Sequence, residues 1–150
     1  MKSMTEDSNL FLIDTNILVY AFSQDEGDKS KKSRELIKNC WNGNVNFAVS
    51  NQNLAEFIYV SVKKTNVDIK KLRIIIDYVL NFKGFEKIDY STKTILSAID
   101  IANEFKMSFW DSLLVATMKE NSVFNIYTEN AKDFKMGWIN AVNPFKTKNA

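Results

Sequence analysis

Three acids in this sequence sit among apolar residues, where a surface acid is not expected. Asp14 closes the run Leu10-Phe11-Leu12-Ile13, Glu56 interrupts Leu54-Ala55-Glu56-Phe57-Ile58, and Asp111 lies within Phe109-Trp110-Asp111-Ser112-Leu113-Leu114. A fourth acidic stretch, Thr128-Glu129-Asn130-Ala131-Lys132-Asp133-Phe134, follows another apolar segment. Carboxylates gathered in one place repel one another, and burying them without partners costs several kcal/mol each. A hard divalent cation, Mg2+ or Mn2+, removes the conflict, because it takes oxygen ligands and characteristically bridges carboxylates to phosphate. Such an ion lowers the pKa of a bound water and orients it for in-line attack, and a two-metal site holds its ions ~3.5–4 Å apart. Each acid alone has a plainer reading. Asp14 suits a cap or turn, Glu56 a helical ion pair with Lys63 or Lys64, and Asp111 the cap of a helix starting at Ser108. Their equivalent placement is what points to a metal.

The elements that must position these acids follow from pattern. Leu10 to Ile13 reads as a buried strand leading into a helix through Ile17-Leu18-Val19-Tyr20-Ala21-Phe22. Residues 29–41 form a helix with Leu36, Ile37 and Cys40 on one side, ended by Asn42-Gly43. A strand at 46–49 is followed by Ser50 as N-cap of a helix through Leu54, Phe57, Ile58 and Ser61. Asp68 caps a helix with Leu72, Ile75, Ile76 and Val79 on its buried face, terminated by Gly84. A strand at 85–90 precedes a helix capped by Ser91 that buries Ile95, Ile99, Ala102 and Phe105. Ser108 opens another helix, and strands at 123–128 and 138–142 complete the chain, the last ending at Asn143-Pro144. Strands alternating with helices imply an α/β fold, a mainly parallel central sheet flanked by helices on both faces. In such a sheet, residues just after the strands meet at one rim, which is where ligands bind.

Composition narrows the chemistry. The chain has 150 residues, 45% of them hydrophobic, with four glycines and one proline, which predicts a single domain over 1–150. Its motif-bearing part is 10–145, with loose ends at 1–9 and 146–150. There is no histidine, which excludes a Ser-His-Asp triad, a Cys-His pair and imidazole acid–base catalysis. Catalysis must run through carboxylates, lysine, hydroxyls or a hard metal. Cys40 is the only cysteine, which excludes an internal disulfide and fits a reducing cytoplasm; it reads as a small buried apolar residue. No apolar stretch approaches the ~20 residues needed to cross a bilayer, and Glu6 and Asp7 leave no signal-like basic N-terminus, so no membrane association is expected. The net charge of +2 neither demands nor forbids a nucleic-acid partner.

Taken in order, Leu12-Ile13-Asp14-Thr15-Asn16-Ile17-Leu18, the segment from Ser50 to Phe57 with Glu56, Trp110-Asp111-Ser112-Leu113-Leu114, and Thr128-Glu129-Asn130 with Asp133-Phe134 resemble the four motifs of PIN-domain ribonucleases. The ending Val142-Asn143-Pro144-Phe145 is also similar to the end of many such chains, and the resemblance is closest to VapC-type toxins of toxin–antitoxin pairs. It implies Mg2+- or Mn2+-dependent cleavage of single-stranded or loop RNA, leaving a 5′-phosphate and a 3′-hydroxyl. Asp14, Glu56 and Asp111 carry over as the metal-binding, catalytic acids, with Thr15, Asn16, Ser112 and Thr128 as their hydroxyl and amide supports. It also implies a homodimer and a small antitoxin that covers the cleft. One position departs from the pattern: Asn130 stands where the family usually has Asp, so the fourth ligand falls to Glu129, Asn130 or Asp133.

Basic residues for phosphate contact are Lys29, Lys31, Lys32 and Arg34 on one segment and Lys63, Lys64, Lys70, Lys71 and Arg73 on another, although helical spacing equally suits a solvated face. Trp41, Trp110 and Trp138 could stack on bases or serve packing. The rival to a nuclease is a catalytically weak or inactive PIN-like module that binds RNA or antitoxin, motivated by Asn130. A phosphatase using Asp14 as nucleophile would want a second Asp two positions on, where this chain has Asn16.

Overall fold

The computed structural model of the protein describes residues 10–146. The expected loose ends, apart from Lys146, lie outside them. Strand β1 (Phe11–Ile13) occupies the centre of a sheet because it is flanked on both edges by parallel partners. These are β2 (Phe47–Ser50), with Phe11 opposite Phe47, and β4 (Asn125–Tyr127), with Ile13 opposite Tyr127. Beyond them lie β3 (Phe85–Ile88) and β5 (Asn140–Val142), giving the order β3-β2-β1-β4-β5 with every pairing parallel. The chain runs outward from β1 to β3, then returns to lay β4 against the other side of β1. That reversal opens a crevice at the carboxyl ends of β1 and β4.

The described residues also form six helices: α1 (Thr15–Phe22), α2 (Asp28–Trp41), α3 (Asn51–Lys64), α4 (Ile69–Asn81), α5 (Thr92–Phe105) and α6 (Phe109–Glu120). Successive strand residues point to opposite faces. Leu12, Ala48 and Ile126 accordingly pack beneath Ala98 and Ile101 of α5 and Leu113 and Leu114 of α6. Ile13, Phe47 and Val49 pack on the other side against Ile17 of α1, Ile37 of α2, Phe57 of α3 and Leu72 of α4. The expected parallel sheet with helices on both faces is present.

Ser50, Asp68 and Ser108 cap α3, α4 and α6 as the sequence suggests, each accepting a backbone N–H of the first turn. Gly43 ends α2 with φ +79°, a left-handed conformation that suits glycine. Three expectations change. The strands are shorter than their apolar runs, because flanking residues such as Val123 and Ile139 are buried beside the sheet without joining its ladder. Helix α4 ends at Asn81, three residues before Gly84. Gly84 is needed instead for close approach: a Cβ there would lie 2.5 Å from the Phe82 ring and 2.9 Å from the Cys40 sulfur. Helix α5 buries Thr94, Ala98 and Ile101, leaving Ile95 and Ile99 exposed. Thr94 decides that rotation, since its hydroxyl accepts the Ser91 N–H and donates to Glu120 of α6 at 2.6 Å.

Candidate active site

Asp14 sits at the crevice because its backbone still belongs to the sheet while its side chain starts a helix. Its N–H donates to the Tyr127 carbonyl at 3.1 Å, extending the β1–β4 ladder by one residue. Its Oδ1 accepts the Thr15 N–H at 2.8 Å and the Asn53 amide at 3.3 Å, and its Oδ2 accepts the Thr128 hydroxyl at 2.7 Å. Burial pushes this carboxyl above its ordinary range. The bonds from Thr128 and Thr15 pull it back in part, and the charges of Glu56 and Asp111 push it further up.

Glu56 projects from the second turn of α3, where its Oε2 accepts the Thr15 hydroxyl at 3.2 Å and its Oε1 the Gln52 amide at 2.9 Å. These oxygens take Thr15 and Gln52 rather than Lys63 or Lys64. The same Gln52 nitrogen donates to the Trp110 carbonyl at 2.9 Å, tying α3 to the residue before Asp111. Gln52 Oε1 is buried without a partner. Asp111 lies in the first turn of α6, its N–H bonded to the capping Ser108 hydroxyl at 3.2 Å. Its carboxyl is raised, first by burial, against the lowering bond with Ser108, and then by the charges of Asp133 and Glu56.

The supports divide in two. Thr15 and Thr128 are buried and donate directly to carboxylates. Asn16 accepts the Glu129 N–H at 3.4 Å and so holds the loop after β4, while Ser112 turns back to the Ser108 carbonyl at 2.8 Å within its own helix. Glu129 is already engaged: Tyr20 donates to Oε2 at 2.9 Å, and the Lys29 ammonium pairs with Oε1. Burial raises the Glu129 carboxyl, but the hydrogen bonds from Lys29 and Tyr20 and the lysine charge outweigh it, leaving it below its ordinary range. Asn130 is exposed, with its N–H on the Thr128 hydroxyl at 3.1 Å.

Asp14, Glu56, Asp111, Glu129 and Asn130 line one cleft of about 490 Å³ together with Thr15 and Asn16. Asp133 does not line it; it joins Asp111, Lys106 and Lys135 around a separate depression. Four further residues, outside the set that the sequence predicts, belong to the neighbourhood. Tyr20 and Asp25 line the cleft, while Gln52 and Asn53 hold its acids. A signal for two of them existed: Gln52 and Glu56 are spaced i, i+4, and Ser50 and Asn53 have the spacing of a capping pair. Of the expected phosphate contacts, Lys64 lines the cleft, whereas Arg34 bonds the carbonyls of Ser23 and Asp25. Trp41 packs edge-on against Tyr78 and Phe82 and Trp138 against Phe124, but Trp110 stands 61% exposed beside Asp111.

The PIN-domain family model matches residues 11–135. The chain belongs to the PIN-domain family. Solved structures share this PIN fold over most of its length. A toxin–antitoxin complex from Klebsiella pneumoniae aligns at TM-score 0.62 and 20% identity, covering 91% of this chain and 99% of the other. VapBC2 from Rickettsia felis, bound to a promoter DNA fragment, aligns at TM-score 0.62 and 23% identity over 89% and 98% of the two chains. VapC20 of Mycobacterium tuberculosis, described as a sarcin–ricin-loop-cleaving toxin, gives TM-score 0.61 and 14% identity over 79% and 88%. No curated protein matches the chain in sequence.

The donor set of this PIN domain suits a hard cation. Acids Asp14, Asp25, Glu56, Asp111 and Glu129 line the cleft with one cationic side chain, Lys64, and the carboxyls of Asp14 and Asp111 are raised by burial first and by neighbouring carboxylates second, both of which a divalent ion would offset. Among the described residues, no three acids or cysteines close into a finished metal cage. The acids face a common space rather than a common point.

Proposed function

We propose that this PIN domain is a divalent-metal-dependent endoribonuclease, the toxin of a VapBC-like toxin–antitoxin pair. The observation that carries the reading is the convergence of Asp14, Glu56 and Asp111 from three separated segments on one cleft at the sheet's switch point. Asp14, Glu56 and Asp111 would hold Mg2+ or Mn2+, with Glu129 or Asn130 as the fourth corner, since Asp133 lies outside the cleft. When bound, such an ion neutralises phosphate charge and activates the attacking water. The protein's own part is orientation. Thr128 and Thr15 fix the rotamers of Asp14 and Glu56, Asn53 braces both Asp14 and Thr15, and Gln52 holds Glu56 against the first turn of α6. The structural neighbours named as a toxin–antitoxin complex and as a sarcin–ricin-loop-cleaving toxin support RNA as substrate and a small antitoxin as partner, while the homodimer rests on the resemblance of the motifs to VapC-type toxins. None of the described helices is long and apolar enough to cross a membrane.

Cleavage of structured RNA in the presence and absence of Mg2+ or Mn2+ tests the reading. Asp14→Asn and Asp111→Asn should abolish cleavage while keeping the fold, and undiminished activity in those variants would sink it. A second reading has its own support. With Asn130 uncharged and Glu129 engaged by Tyr20 and Lys29, the fourth corner is weak, which favours a PIN module that binds RNA or antitoxin with little turnover. RNA binding without metal-dependent cleavage at any Mn2+ concentration would select it.

A further inference from the structure

Next to the acidic cleft lies a larger hollow of about 860 Å³, whose lining includes Lys29, Lys32 and Lys146 together with Tyr127, Pro144 and Phe145. The two are joined. A small depression between them shares Glu129 and Asn130 with the cleft and Asn143 and Lys146 with the hollow. Its wall is built rather than incidental. The Asn143 amide donates to the Glu129 carbonyl at 3.2 Å and its Oδ1 accepts the Phe145 N–H at 2.9 Å, so the segment after β5 is fastened to the loop after β4. The Phe145 ring meets Tyr20 edge-on at 5.5 Å, with the Lys29 ammonium 5.8 Å from its centroid. Asp28 is the one acid that lines the hollow, against Lys32, Lys146 and Lys29, the last already paired with Glu129. Among the described residues, Lys32 has only a 3.7 Å contact with exposed Glu35.

We infer that this hollow is the subsite for the RNA strand that flanks the scissile phosphate, with lysines on the backbone and Phe145 under a base. The inference rests on the nuclease reading and deepens it. A cleft of carboxylates attracts a metal but repels the phosphates on either side of the one being cut. A strand entering it must therefore be held by cations outside the cleft, and in single-strand recognition such cations are interleaved with aromatic faces on which bases stack. The hollow supplies both, along a surface continuous with the cleft. Its lysines disfavour a basic peptide and favour a polyanion, while Tyr127, Pro144 and Phe145 give that polyanion apolar and aromatic contacts.

The test is binding of a mixed-sequence single-stranded oligoribonucleotide to the full chain in EDTA, followed by fluorescence anisotropy over a range of salt. Phe145→Leu and Lys32→Glu are compared with wild type. Each should weaken binding about tenfold, and Lys32→Glu should lower the slope of log affinity against log salt by about 1 or more. Lys32 is exposed, so its variant folds; a thermal melt checks Phe145→Leu. Unchanged affinity and slope in both variants, with cleavage intact, overturns the subsite and leaves the nuclease standing. Binding that stays sensitive to both variants in a protein that never cleaves keeps the subsite and removes the nuclease. An acidic peptide that binds as tightly with the same sensitivity would assign the hollow to a protein partner and overturn the inference.

Discussion

Replacing Thr128 with valine changes one buried atom and isolates how Asp14 is held. The side chain is fully buried, its hydroxyl donates to Asp14 Oδ2 at 2.7 Å, and it accepts the Asn130 N–H at 3.1 Å. Valine keeps the shape and removes both bonds. A bond to a charged acceptor contributes about 1.5–3 kcal/mol, and exposed Asn130 can turn its N–H to water, so the expected loss near neutral pH is about 2–3 kcal/mol. For a chain of this size that lowers Tm by roughly 5–10 °C. The loss must depend on pH. Thr128 is the main contact holding the Asp14 carboxyl down against burial, so the variant's Asp14 rises further. Where falling pH protonates Asp14 in the folded state, the lost bond is neutral and is valued at about 1 kcal/mol. Urea unfolding of metal-free wild type and variant at about pH 4 and about pH 7 measures both ends. Equal losses at the two pH values, or none at pH 7, would show that Thr128 does not stabilise an ionised Asp14.

The raised carboxyls of Asp14 and Asp111 also set the sign of the metal-free pH profile. Their contribution is fully present below the unfolded carboxylate range and is lost as pH rises through their folded values, whereas Glu129, being lowered, contributes in the opposite direction. Urea midpoints of Asp14→Asn should therefore gain on wild type as pH rises, and saturating Mg2+ should close the gap by stabilising wild type alone. Gln52→Leu removes the amide that donates to both Glu56 and the Trp110 carbonyl and should weaken Mn2+ binding about 10–100-fold by calorimetry, with folding changed by only about 1 kcal/mol. Gly84→Ala places a methyl against the Phe82 ring and the Cys40 sulfur, and denaturant unfolding should show a loss of about 1–3 kcal/mol.

The rim of the sheet was readable because the first, second and fourth motifs follow strands that pattern and caps identify. Ser50, at the end of β2, fixes where α3 begins and so places Glu56 within two turns of the edge, whereas Ser108 fixes only that Asp111 lies in the first turn of α6, which follows α5 rather than a strand. The rotation of α5 was not readable. Ile95 and Ile99 match a helical stripe, but the Thr94 hydroxyl, engaged by the Ser91 N–H and by Glu120, turns that stripe toward solvent. Polar residues buried by specific partners leave no hydrophobic signature, which is also why Gln52 and Asn53 escaped notice. For Asp14, cap and candidate ligand are not alternatives. The carboxylate caps α1 and faces the cleft at once, because one oxygen suffices for the Thr15 N–H.

An all-parallel sheet with its reversal at β1 divides the molecule into two edges that answer to different rules. Every residue proposed for chemistry emerges at the carboxyl edge, while the turns before β2 and β4, around Gly43-Asn44 and Asn121-Ser122, lie at the opposite one and are exposed. Sequence can drift, lengthen or accept a fused tag at that opposite edge without the cleft registering it. The same separation makes the molecule a scaffold on which a label at Asn44 or Ser122 reports binding while standing a sheet's length away from what is bound.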